Sequence, residues 1–127
     1  MIVGVGTDIV AVARMKESLT QHGERFAKRI LSTSEFECFS SHVAPANFLA
    51  KRFAAKEALV KALGCGFRNG ISMQHIVVDN DELGKPFIVL SGEAASRSEQ
   101  LGVGDVLLSL ADEAEYAIAY VVATKQL

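Results

Sequence analysis

Cysteine is scarce in this sequence: only Cys38 and Cys65 occur in 127 residues, with neither a CxxC pair nor zinc-type spacing. That argues against a disulfide framework and points to a reducing, cytoplasmic setting. No apolar run approaches the roughly 20 residues of a membrane span. No basic stretch precedes the first apolar residues, so a signal peptide is not expected. Repeats, linkers and low-complexity segments are also missing. An overall excess of one charge sign is missing too: the net charge is −2, so nothing global points to nucleic acid.

What is present suits a single domain over residues 1–127. Half of the residues are hydrophobic, enough for a chain of this size to build a core without staples. The charges are unevenly placed. Residues 14–68 hold ten Lys and Arg against five Asp and Glu, whereas residues 69–127 hold three against nine. A basic front half suits an anionic ligand or an acidic partner, and is equally compatible with an ordinary solvated surface.

Residues 2–12 read as a strand and 13–42 as short helices, with breaks near Gly23 and Ser32-Thr33-Ser34. Ser34 is a candidate cap for the helix through Glu35 and Glu37. Residues 45–63 read as one long helix: Pro45 suits its first turn, and Gly64 and Gly66 suit its end. A strand over 72–79, a turn at Gly84-Lys85-Pro86 and a strand over 86–90 follow. A helix over 92–101 stops at Gly102. The chain closes with a hairpin, 105–112 and 116–124, turning through Glu113-Ala114-Glu115. Without a regular βαβ alternation, the order predicts an α+β fold with a largely antiparallel sheet.

Two stretches stand out. In the first strand, Val3, Val5, Thr7, Ile9 and Ala11 share one face, and Ile2, Gly4, Gly6, Asp8, Val10 and Val12 the other. Asp8 therefore lies among glycines and apolar residues. Gly4-x-Gly6 is not a dinucleotide fingerprint, because the third glycine position holds Ile9 and no helix begins there. Glycine in a strand marks close approach by a backbone or a ligand. A carboxylate there needs either backbone N–H donors or a cation.

The second stretch is the long helix. Phe48, Leu49, Phe53, Leu59, Val60 and Leu63 form a broad apolar arc, interrupted by Arg52 and Lys56. The other side carries Ala50, Ala54 and Ala58, with Glu57 and Lys61 among them. Glu57 and Lys61 are i,i+4 and share a face, which also describes a plain solvated ion pair. The alanines would let something approach closely. Asp8 and Glu57 are the right groups to give two hard oxygen ligands to one Mg²⁺, with Lys61 beside the phosphates that the ion carries. Spacing alone does not bring strand and helix together.

"GVGTDIVAVAR" (Gly4–Arg14) and "RFAAKEALVKALGCG" (Arg52–Gly66) resemble the holo-acyl-carrier-protein synthases, the small bacterial class of 4′-phosphopantetheinyl transferases. "NGIS" (Asn69–Ser72), "LGKPFIVLSG" (Leu83–Gly92) and "LLSLADEAEYAIAYVVA" (Leu107–Ala123) extend the resemblance over essentially the whole chain. It implies that family's fold, a largely antiparallel sheet wrapped around one long helix. It also implies a reaction: transfer of phosphopantetheine from coenzyme A to a serine of apo acyl carrier protein, with release of adenosine 3′,5′-bisphosphate, in fatty acid biosynthesis. Mg²⁺ and a homotrimer with active sites between subunits belong to that expectation. Asp8 and Glu57 match the family's metal ligands, and Lys61 its phosphate-side lysine. Arg52 and Gly64 match coenzyme A contacts. Arg14, followed by Arg25, falls in the basic segment that would dock the carrier.

The sequence departs from the family pattern at one place. Many members end the penultimate strand with Ser-x-Ser-His, where this chain has Ser109-Leu110-Ala111-Asp112. A histidine base is excluded there. The serine proton is left to Glu57, to a metal-bound water, or to another carboxylate such as Glu35. His22, His42 and His75 stand in no motif. Two other classes remain in view: a non-catalytic module that binds coenzyme A or a carrier protein, and a Mg²⁺-dependent nucleotide hydrolase. The joint presence of Asp8, Glu57 and Lys61 favours the transferase.

Overall fold

The computed structural model describes residues 1–127. Strand β1 (Ile2–Ala11) leads into helices α1 (Val12–His22), α2 (Glu24–Ile30) and α3 (Thr33–Ser40). The long helix α4 (Pro45–Ala62) follows, then a single 3₁₀ turn (Met73–His75), strands β2 (Ile76–Asn80) and β3 (Pro86–Leu90), helix α5 (Gly92–Gln100), and strands β4 (Val103–Asp112) and β5 (Tyr116–Lys125). The fold is α+β, and every strand pair is antiparallel. Instead of one sheet there are two: β1-β5-β4, and the separate hairpin β2-β3.

The differences from the expected boundaries are local. Val12 begins α1 instead of ending β1, and its N–H reaches the Glu115 carbonyl at the β4–β5 turn. Ser32, not Ser34, caps α3: its hydroxyl accepts the Glu35 N–H while the Glu35 carboxylate accepts the Ser32 N–H. That reciprocal box satisfies two otherwise orphaned donors. The 3₁₀ turn delays β2 to Ile76 because the Ser72 N–H turns back to His75 Nδ1.

Helix α4 is buried almost all round, so the apolar arc expected on one side is only half of its packing. Ala54, Ala58, Leu49 and Leu59 are all inaccessible to solvent. Its alanine side lies directly on β1. A Cβ added to Gly6 would stand 1.9 Å from the Ala58 carbonyl oxygen, and one on Gly4 would stand 2.0 Å from that of Ala62. Only glycine admits that approach of strand to helix. The space beside Asp8 that the glycines open is therefore filled by the backbone of α4, not left for a ligand. The opposite side of α4 packs on α1, α2, α3 and β2.

Candidate active site

Close packing of β1 on α4 joins the two distinctive stretches. Asp8, on the α4-facing side of β1, meets Lys61 in the last turn of α4. Lys61 Nζ donates to Asp8 Oδ1 at 3.1 Å and to the Thr7 carbonyl at 3.0 Å. The Asp8 side chain is largely buried, while that of Lys61 is half-exposed. Glu57 stands one turn before Lys61 on the same flank. Burial pushes the Glu57 carboxyl above its ordinary value, the Asp8 charge pushes it further, and Lys61 pulls it part of the way back. Asp8 therefore has a cation of its own, whereas Glu57 forms no ion pair.

The Asp8 charge adds to what it costs Glu57 to ionise, and a hard divalent cation between two such carboxylates would relieve that cost. No group of three or more His, Cys, Asp or Glu side chains that could hold a metal ion is present, so Asp8 and Glu57 by themselves are not a closed metal site. Mg²⁺ is commonly held by one or two carboxylates plus substrate phosphates.

Gly64 lies just past the end of α4 with φ +69°, and its N–H closes the helix onto the Lys61 carbonyl. It lines a polar cleft of about 320 Å³ together with Arg68, Asn69 and Arg97. Arg14 on α1 and Arg25 on α2 are both exposed, as are Lys16, Lys28 and Arg29. The basic segment thus forms a solvated cationic surface on two consecutive helices.

Arg52 is not brought to the Asp8–Lys61 pair. It precedes Glu57 by five residues, about 140° round the helix, and lies over the Phe48 ring with its guanidinium carbon 4.3 Å from the centroid. Its Nε is 3.8 Å from Glu35 Oε2. Around it is a second cleft, of about 380 Å³, shared with His42, Lys51, Asp79 and Asp112. Asp112 pairs there with Lys51 at 3.7 Å. Asp112, at the place where the family pattern led one to look for histidine, therefore belongs to the Arg52 cleft and not to the Asp8 flank.

Glu35 is corrected as a candidate base. It is 2% exposed, and its carboxylate is already engaged by the Ser32 N–H, the Val78 N–H and Lys56 Nζ. No substrate hydroxyl can reach it. Lys56 does not send its charge to the surface along its stem either. It is fully buried, and its ammonium donates to Glu35 Oε1 and to the Ile30 and Met73 carbonyls. Desolvation lowers the Lys56 pKa and Glu35 raises it in part. This internal ion pair escaped sequence reasoning. Its one sequence signal was the presence of two cations within an apolar helical arc.

The sequence model of the 4′-phosphopantetheinyl transferase superfamily matches residues 4–121. The chain is 52% identical over 122 residues to the holo-acyl-carrier-protein synthase of Halorhodospira halophila, covering 96% of this chain and 97% of that protein. Among solved structures, the holo-acyl-carrier-protein synthase of Neisseria meningitidis superposes with a TM-score of 0.93 at 42% identity, covering 98% of this chain and all of that one. That of Bacillus anthracis, solved in complex with coenzyme A (3′,5′-ADP), superposes with a TM-score of 0.82 at 34% identity, covering 99% of each chain. The chain belongs to the 4′-phosphopantetheinyl transferase superfamily. Within that superfamily its place is among the holo-acyl-carrier-protein synthases.

Proposed function

We propose that this chain transfers 4′-phosphopantetheine from coenzyme A to a serine of apo acyl carrier protein, using Mg²⁺ held by Asp8 and Glu57. The observation that carries the reading is the junction of β1 and α4, which sets two carboxylates and Lys61 on one flank. The serine oxygen attacks the pantetheine-side phosphorus of the pyrophosphate. A new P–O bond forms, the bond to the bridging oxygen breaks, and adenosine 3′,5′-bisphosphate leaves with that oxygen. A bound Mg²⁺ would neutralise the pyrophosphate oxygens and stabilise the leaving group. Lys61, already turned to Asp8 by its hydrogen bond, adds positive charge beside the departing oxygen. Among the chain's own groups, Glu57 is the proton acceptor for the serine hydroxyl, because Glu35 is enclosed.

Arg52 and Gly64 contact coenzyme A in this reading, Arg52 through a phosphate. Arg52 and the Asp8–Glu57–Lys61 group stand on opposite flanks of α4, so a single chain does not present both to one coenzyme A molecule. A site assembled between copies does, which supports a homotrimer with active sites between subunits. The outer face of the β1-β5-β4 sheet supports it as well. Val5, Ile9, Leu107, Tyr116, Ile118 and Tyr120 are exposed there, and no charged side chain interrupts the rows that join them. Arg14 and Arg25 would steer the acidic carrier, raising the association rate more than the chemical rate. The reading places the reaction in the cytoplasm, in service of fatty acid biosynthesis.

Intact-protein mass spectrometry of apo acyl carrier protein, incubated with this protein and coenzyme A, tests it. The carrier is expected to gain one phosphopantetheine with Mg²⁺ and none with a chelator. Asp8→Ala should cut the rate by at least about 100-fold while the circular dichroism spectrum is kept. A normal rate in Asp8→Ala would overturn the metal assignment. Release of bisphosphate without a carrier would instead favour the hydrolase.

A further inference from the structure

Lys56, Glu35 and Arg52 form a buried group of two cations and one carboxylate, with one positive charge in excess. Lys56 is fully satisfied: its three N–H donors meet Glu35 Oε1 at 2.6 Å, the Ile30 carbonyl at 2.6 Å and the Met73 carbonyl at 3.0 Å. Glu35 is equally committed. Its Oε1 takes the Ser32 N–H and Lys56, and its Oε2 takes the Val78 N–H at 2.9 Å. Ties to α3, β2 and α4 together leave the carboxylate no freedom to swing.

The surplus charge is that of Arg52, which is 7% exposed. Its Nε is buried without a hydrogen-bond partner. The nearest carboxylate oxygen, Glu35 Oε2, lies 3.8 Å away, close enough to attract and too far to bond. The Phe48 ring closes the other side. The guanidinium is thus held by a fixed charge and an aromatic face while its donors stay unspent at a cleft floor. The enclosed Nε stays beside Glu35, and an anion entering the cleft meets the outer donors of the guanidinium.

We propose that Glu35 is a positioning residue for coenzyme A. Its immobilised carboxylate sets where the Arg52 guanidinium sits, and so determines how tightly the phosphate at Arg52 is held. The proposal rests on the reading of Arg52 as a phosphate contact. Glu35 itself touches no substrate.

The test is a double-mutant cycle of Arg52→Ala and Glu35→Gln. It is read by calorimetric binding of adenosine 3′,5′-bisphosphate, by KM and kcat with coenzyme A, and by thermal unfolding. Arg52→Ala alone should weaken bisphosphate binding by at least about 10-fold, as expected for loss of a hydrogen bond to a charged group. Glu35→Gln should also weaken it about 10-fold, raising KM with kcat within about two-fold, and should add less than two-fold in the Arg52→Ala background, the signature of coupled residues. Glu35→Asp keeps the charge and withdraws it by one methylene. It should show a smaller loss with the same dependence on Arg52, and it serves if Glu35→Gln does not fold. A lowered Tm with unchanged affinity would mean a purely structural Glu35 and would overturn the proposal. So would losses that multiply in the double variant. Unchanged affinity in Arg52→Ala is a separate failure, that of Arg52 as a phosphate contact, and it shows in the first variant alone.

Discussion

At the scale of residues, three carboxylates of similar chemistry are sorted by their surroundings. Glu35 is enclosed and saturated, Asp8 is paired with Lys61, and Glu57 is partly buried without a partner. Glu57 therefore keeps its proton to a higher pH in the folded chain than in the unfolded one, whose ordinary value is 4.5. Between those two values the folded state binds more protons, so this group's contribution to stability is lost as pH rises through the window. Glu57→Gln should accordingly raise Tm above that of the parent at about pH 7 in metal-free buffer, with the gap closing below the ordinary carboxyl range. The same variant should lose transfer activity. Thermal unfolding across pH, run beside the transfer assay, checks both signs. A variant less stable than the parent at neutral pH would show that Glu57 is not strained in the folded state.

At the scale of elements, the contact of β1 with α4 controls the site. Gly4 and Gly6 let the strand lie on the helix backbone at Ala58 and Ala62. Gly6→Ala should cost about 3 kcal/mol, the upper end of ordinary overpacking, because the Cβ meets backbone instead of a movable side chain. It should also part Asp8 from Lys61, so activity should fall more than the Tm loss explains at assay temperature. Denaturant unfolding and the transfer assay measure the two effects separately. Most elements were legible in the sequence. Pro45, Gly64 and Gly102 marked helix ends, and alternation marked β1 and the closing hairpin. The 3₁₀ turn at Met73–His75 and the cap at Ser32 were not, since each depends on a side chain folding back three residues. The split into two sheets was not legible either, because the strand order follows from how α4 is wrapped and not from any strand's own pattern.

On the scale of the whole molecule, the charge asymmetry becomes geometry. The basic segment forms the exposed surface of α1 and α2. The outer sheet face offers Ile9, Ile118 and Tyr120 in register across β1 and β5, with Ile9 opposite Ile118 and Thr7 opposite Tyr120. Exposed apolar rows of this kind usually mark an interaction surface. Ile118→Glu should convert a trimer to a monomer by light scattering, with secondary structure retained and transfer lost. A variant that stays trimeric would move the interface elsewhere. A monomer that remains fully active would end the assignment of sites between subunits.

Read as a string, the chain already carried the motifs of its family, its long central helix and the candidate site residues, because motifs and helix ends depend on residue type and short-range order. Tertiary structure alone decided which of those residues meet. Asp8 and Lys61 lie 53 positions apart, and only glycine-permitted backbone contact brings them within 3.1 Å. Tertiary structure also removed Glu35 from the chemistry and set Arg52 on the far flank of α4, because burial and the direction of a side chain depend on what packs against it.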